Sequence, residues 1–132
     1  MSALEPGAEL EPQDYLVTRA DLVAYAGASG DHNPIHQDEA VARMVGLPGV
    51  IAHGMYTMAL AARAVATWSD EAEVVELGCK FTAPVVVPAE GGATVRVAGT
   101  VKSVADGRAT IALEVTCGGE KVLGAPKAVV RV

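Results

Sequence analysis

At 132 residues, with 51% hydrophobic but only 4% aromatic residues, the chain is long enough for one domain with its own core. That core must be filled by Val, Ala, Leu and Met rather than by rings. A net charge of −6 argues against a broad nucleic-acid or anionic-membrane surface, while ten basic residues leave room for a local phosphate-binding patch.

The acidic stretch Met1 to Glu11 has neither a basic n-region nor an apolar h-region, so no secretory signal is expected. Pro6, Gly7 and Pro12 predict a loose lead-in over residues 1–12, followed by a short strand from Tyr15 to Thr18. Thr18 opens T-R-A-D, a capping-box variant with the Asp21 carboxylate three residues on. Leu22, Val23, Tyr25 and Ala26 follow at rough helical spacing, and Gly27 is the expected helix stop.

The stretch from Ser29 to Gly54 is the informative one, and it holds all three histidines. Pro34 fixes its own φ and pushes Asn33 into an extended conformation, so a helix cannot run through from the preceding residues. Asn33 is suited to cap a short turn with Pro34 at its first position, which brings Asp31 and His36 round toward one another. Ser29 and Gly30 serve the turn. A carboxylate and an imidazole on a stiff, non-repeating loop are what proton-transfer chemistry asks for. Taken alone, Asp31 reads as a turn residue and His36 as a surface histidine, because Asp and Asn are turn residues before they are catalysts. Three histidines with Asp31 invite a metal-site reading, but the spacing fits no H-x-x-x-H or C-x-x-C pattern, and no metal or cofactor is expected.

Asp38 can cap a second helix, Glu39 to Val45, ending at Gly46. His53-Gly54 then opens M-Y-T-M-A-L-A-A-R-A-V-A-T-W, a segment with almost no polar face. A helix apolar nearly all round is expected to be buried. His53 is expected to pack at the helix start and orient Gly54. Met55, Tyr56 and Met58 read as core or as lining of a substrate tunnel. The run from Val50 to Trp68 carries His53 and Arg63 and falls short of a membrane span.

After Trp68 the period switches to two. In Glu73 to Thr82, Val75, Leu77, Cys79 and Phe81 share a face. In Thr94 to Val104, Val95, Val97 and Val101 oppose Arg96, Thr100 and Lys102. Ile111, Leu113 and Val115 share a face of Ala109 to Cys117. Asp106-Gly107 and Gly118-Gly119 are hairpin signals. A last strand starts at Glu120-Lys121 and runs to Val132, with Pro126 marking a bulge or edge. Lys80, Arg96 and Lys102 read as a solvated strand face. Cys79 and Cys117 are too few for a disulfide framework and read as reduced, half-buried strand residues of a cytoplasmic protein.

One long buried helix followed by an antiparallel meander predicts an α+β, single-domain hot-dog fold over residues 1–132, the sheet curled around the helix. A lone wrapped sheet leaves an edge strand and part of the helix uncovered, so a dimer is expected.

Y-A-G-A-S-G-D-H-N-P-I-H (Tyr25 to His36), A-H-G-M (Ala52 to Met55) and F-T-A-P-V (Phe81 to Val85) together resemble the MaoC-like hydratase/dehydratase family. The likeness extends most to the catalytic subunits of (3R)-hydroxyacyl-thioester dehydratases. It implies that Asp31 and His36 are the catalytic pair, that Gly54 supplies an oxyanion-hole amide, and that Asn33 is a site residue. Ser29, His53 and Met55 join Asn33 as substrate-binding candidates, and His32 falls on a variable position with no assigned role. The implied substrate is an enoyl or 3-hydroxyacyl thioester of CoA or of an acyl carrier protein, and the implied partner is a second copy or a related hot-dog subunit. A hot-dog thioesterase, and a subunit needing a non-catalytic partner, are the alternatives.

Overall fold

The computed structural model describes residues 4–132. Its elements, in chain order, are β1 (Glu9–Val17), α1 (Arg19–Ser29), a 3-10 turn (Pro34–His36), α2 (Glu39–Met44), α3 (Gly54–Trp68), β2 (Val74–Phe81), β3 (Ala93–Ala105), β4 (Arg108–Cys117), β5 (Glu120–Lys121) and β6 (Leu123–Arg131). The strands form one antiparallel sheet in the order β1-β3-β4-β6-β2, with β5 a short appendage on β4. The sheet curls around α3, which packs on β1, β2, β3 and β6. This is the hot-dog fold.

The core is where the two periodicities meet. The inward faces of β3 and β4 contribute Val95, Val97, Val101, Ile111 and Val115, all fully buried. Against them α3 turns Leu60, Ala61, Ala64 and Val65. Alanines at this contact let helix and sheet approach closely, so a core poor in rings is still close-packed.

Several elements depart from the sequence expectations. The lead-in is not loose over its described residues: Leu4 is buried in the core, the Gly7 N–H donates to the Val101 carbonyl at 2.8 Å and β1 begins at Glu9, while residues 1–3 of that expectation lie outside the described residues. Pro12 is accommodated because the register with β3 shifts between Leu10 and Gln13, and a bulge does not need the proline's missing N–H. Helix α1 runs through Gly27 to Ser29 and stops at Gly30, whose φ of 80° is the left-handed cap conformation that glycine adopts freely. The second helix ends at Met44, one residue short of Val45. The sheet is not a simple meander, because β2 crosses to the far edge and pairs with β6 rather than β3.

The expected last strand is interrupted at Val122, which leaves β5 and β6 separate. Pro126 lies at a bulge, where the β2–β6 register shifts between Gly78 and Lys80. As an edge strand, β2 buries only part of its predicted face. Leu77 and Cys79 pack on the core, whereas Val75 and Phe81 are exposed. Helix α3 is also not buried all round, since Met55, Ala59, Arg63 and Thr67 form an outward stripe.

Both cysteines are free and half-buried. Burial pushes both thiol pKa values up, and at Cys117 the nearby Glu120 adds to the effect. Among the described residues, no helix is long and apolar enough to cross a membrane.

Candidate active site

The loop between α1 and α2 is shaped by short-range hydrogen bonds. The Asp31 N–H donates to Ser29 Oγ, and Asp31 Oδ1 accepts the Asn33 N–H, both at 3.2 Å. Asn33 Oδ1 in turn accepts the Ile35 N–H at 3.2 Å, capping the 3-10 turn that Pro34 opens. These side chains satisfy backbone donors that a helix would otherwise hold, which is why Asp and Asn can stop one here. The turn carries His36 inward to 7% exposure. Its Nδ1–H donates to the Ile51 carbonyl at 2.8 Å, so the lone pair is on Nε2. That Nε2 stands 3.9 Å from Asp31 Oδ2, on a carboxylate half open to solvent.

The second wall comes from the start of α3. His53 is the N-cap residue, but its side chain makes no cap bond. Its ring, 2% exposed, instead stacks on His36 at 3.8 Å and 24° and meets the edge of Tyr25 at 4.8 Å. His53 Nε2–H donates to the Asp31 carbonyl at 3.1 Å. Its Nδ1 is buried and has no hydrogen-bond partner among the described residues.

Gly54 follows at the first helical position, where backbone amides have no intrahelical acceptor and the helix dipole favours negative charge. The Phe81 ring, from the end of β2, lies directly over it. A Cβ on Gly54 would be 2.9 Å from Phe81 Cε1.

These elements enclose a cavity of about 650 Å³. Asp31, His36, His53, Gly54, Ser29 and Met55 all line it, so six of the seven sequence candidates are brought together. Asn33 is not among the lining residues and serves as the cap of the turn. Of the three tunnel candidates on α3, Met55 lines the cavity, whereas Tyr56 packs against the core. The floor is apolar, with Val85, Val122 and Leu123 all buried.

Tyr25, Thr57 and Phe81 also line the cavity, and none of them has an assigned role there from its local pattern. Thr57 carried a usable signal: it stands one turn after Gly54 on the same helical face. At 4% exposure it puts a hydroxyl in the wall. The hydroxyl of Thr67, on the same helix, instead returns to the Arg63 carbonyl at 3.1 Å.

Ligand atoms of Asp31, His36 and His53 lie within 4.8 Å of one another, a cluster that loop spacing alone does not anticipate because His53 arrives on α3. The stacking weighs against a shared ion. Two imidazoles in nearly parallel planes cannot both aim an in-plane lone pair at one point about 2.0–2.1 Å away, the length of a metal–nitrogen bond. Two nearby acceptors, Asp31 Oδ2 and His36 Nε2, instead suit a molecule that donates two hydrogen bonds. A water lying about 2.7–2.9 Å from each spans such a gap.

Residues 2–121 match the family model described as MaoC like domain. Over 77 residues the chain is 42% identical to 3-hydroxyacyl-thioester dehydratase X of Mycobacterium tuberculosis, covering 58% of this chain and 26% of that protein. A solved structure titled MaoC-like dehydratase superposes with a TM-score of 0.93 at 38% identity, over 96% of this chain and 40% of that one. The unliganded R-hydratase PhaJ1 of Pseudomonas aeruginosa gives a TM-score of 0.84 at 28% identity, over 97% of this chain and 82% of that one. The chain thus spans about a quarter of the curated relative's length.

Proposed function

This chain belongs to the MaoC-like domain family, and we propose that it catalyses the reversible syn hydration of trans-2-enoyl thioesters, the reverse being dehydration of (3R)-3-hydroxyacyl thioesters. The acyl group is carried on CoA or on the phosphopantetheine of an acyl carrier protein. The observation that carries this reading is the 3.9 Å gap between Asp31 Oδ2 and His36 Nε2 at the wall of a cavity that also holds the first amide of α3. The dehydratase and R-hydratase likenesses support the same substrate class.

The chemistry follows from the placement. A water donating one O–H to Asp31 and one to His36 is held with its lone pair toward the cavity. Its oxygen attacks C3 of the enoyl group while one member of the pair takes its proton, and the C2–C3 π electrons move onto the thioester oxygen. The pair then returns a proton to C2 from the same face, so the addition is syn. One C–O and one C–H bond form for the one O–H bond and the one C2–C3 π bond broken. General acid–base catalysis of this kind contributes about 10²–10⁴-fold.

The enolate oxygen that develops is stabilised by the Gly54 N–H and the positive end of α3. The absence of a Cβ leaves room for the Phe81 ring to pack beside that amide. Val85, Val122 and Leu123 receive the apolar acyl tail. Ser29 holds the Asp31 backbone, and Met55 and Phe81 flank the entrance.

The acting unit is a dimer. A second copy, or a related hot-dog subunit, covers the exposed Val74 and Val75 of β2 together with Ala59, Arg63 and Thr67 of the outward stripe of α3. Light scattering on the purified chain tests this, and a monomer that gains activity on adding a related subunit would identify the heteromeric form.

The test of the reaction is loss of enoyl-thioester absorbance across acyl lengths with chiral analysis of the product. A (3R)-hydroxyacyl product is expected. A (3S) product, or release of free thiol without hydration, overturns the reading, the latter in favour of a thioesterase.

A further inference from the structure

We infer that His53 is a positioning residue, the clasp that fixes the Asp31 loop against the N-terminus of α3; this role rests on the hydration chemistry proposed above. Two contacts of its ring and the chain itself converge on this residue. Nε2–H holds the Asp31 carbonyl at 3.1 Å, the ring face stacks on His36 at 3.8 Å, and the next peptide unit is the Gly54 amide.

The loop needs such a clasp. The other hydrogen bonds of Asp31 go to Ser29 and Asn33, its own neighbours, and shape the loop without attaching it to anything. His36 is anchored separately, through Nδ1 to Ile51. Among the described residues, the bond from His53 is the one hydrogen bond that joins Asp31 to another element of the fold. Without it, the separation between the Asp31 carboxylate and His36 Nε2 is set by an exposed loop alone.

The unpaired Nδ1 separates this role from packing. A ring placed here only to fill space would serve better without a buried nitrogen that finds no partner. What imidazole adds over phenyl is one N–H donor, aimed at Asp31. Tyr25, edge-on at 4.8 Å, keeps the ring from turning that donor away. Loss of the donor should therefore harm the reaction without harming the fold.

Two variants separate these effects. His53→Phe keeps the ring and removes the donor, whereas His53→Gln keeps an N–H donor and removes the ring. For His53→Phe, kcat for enoyl-CoA hydration should fall roughly 10–100-fold, the scale of a misplacement of about 1 Å. KM should stay within about threefold and Tm should be unchanged or higher. His53→Gln should recover at least half of that loss on a logarithmic scale.

Crystal structures of wild type and His53→Phe give a readout independent of turnover. The Asp31 Oδ2–His36 Nε2 separation, 3.9 Å in the native protein, should open by about 1 Å in the variant. An unchanged separation with unchanged kcat overturns the inference, as does a kcat loss that simply follows a fall in Tm. If wild type does not hydrate enoyl thioesters but the separation still opens, the proposed function fails while the role of His53 stands.

Discussion

Each end of α3 places an aromatic ring against a glycine, and the two contacts are built for different purposes. At the C-terminal end the Trp68 ring covers Gly99 of β3, where an added Cβ would be 2.9 Å from Cζ3 and 3.2 Å from Ile111 Cγ2. Trp68 is pinned there by its Nε1–H bond to the Glu11 carbonyl at 2.7 Å, and Ile111 behind it is fully buried. At the N-terminal end the Phe81 ring covers Gly54 at the same 2.9 Å, but Phe81 is 56% exposed and has open space to move into. Gly99 is wedged between the half-buried Trp68 ring and the buried Ile111, whereas Gly54 is beside the cavity that holds a half-exposed carboxylate and an imidazole nitrogen with no partner among the described residues. One end of the helix contributes stability, and the other spends some of it on geometry.

Substitutions at the two ends should therefore separate activity from stability. The largest effect is expected from the reacting pair: Asp31→Asn or His36→Gln should each reduce enoyl-CoA hydration by about 10²–10⁴-fold. Asp31 is half-exposed, so Asp31→Asn should leave Tm within a few degrees; a near-normal rate in either variant would remove the pair from the mechanism. Next is Gly54→Ala, whose new methyl meets the Phe81 ring beside the amide that receives the enolate oxygen. The rate should fall roughly 10–100-fold. Phe81 can swing outward and alanine is the better helix former, so thermal melting should show no loss of stability. A large fall in Tm would mean that the two glycines play the same role.

The contrast between the ends was only partly legible in the sequence. Asn33-Pro34 and His53-Gly54 announce the loop and the start of α3 because proline and glycine act on the backbone locally, whatever surrounds them. The Thr18 capping box is visible for the same reason. Gly27 misled because a glycine can continue a helix as well as end one, and the left-handed cap was Gly30. Pro12 misled because a bulge removes the objection to proline in a strand, and a bulge depends on the partner strand.

Nothing local says that β2 crosses to pair with β6, and that crossing is what brings Phe81 over Gly54. The bond from His53 to the Asp31 carbonyl likewise joins residues that only the fold brings together. The loop chemistry was readable, but the walls that complete the cavity were not.

At the other end of the helix, Gly99→Ala should show the opposite pattern. Ile111 is fully buried and Trp68 is tethered to the Glu11 carbonyl, so the added methyl forces a shift costing about 1–3 kcal/mol, read as a Tm fall of roughly 5–10 °C. The kcat/KM for enoyl-CoA should remain within about twofold, because the contact is among core residues that do not line the cavity. A loss of activity at temperatures where the variant is fully folded would show that packing at the C-terminal end reaches the site.

Thr18→Ala asks the same question with a smaller perturbation and at another element. In the native capping box, Thr18 Oγ1 accepts the Asp21 N–H at 3.2 Å, and Asp21 Oδ2 accepts the Thr18 N–H at 2.8 Å. Alanine removes the first bond and the one Oγ1 donates to Asp21 Oδ2 at 3.0 Å but keeps the backbone one, so the cost should be about 1 kcal/mol, visible as a small shift in a chemical denaturation midpoint. Helix α1 leads directly to Gly30 and Asp31, which makes it the shortest covalent route by which a stability change could reach the reacting pair. If Asp31 is held by its own turn and by His53, fraying at Thr18 is absorbed before it arrives and kcat does not move. A kcat that falls in step with the denaturation midpoint would show instead that the loop takes its position from α1.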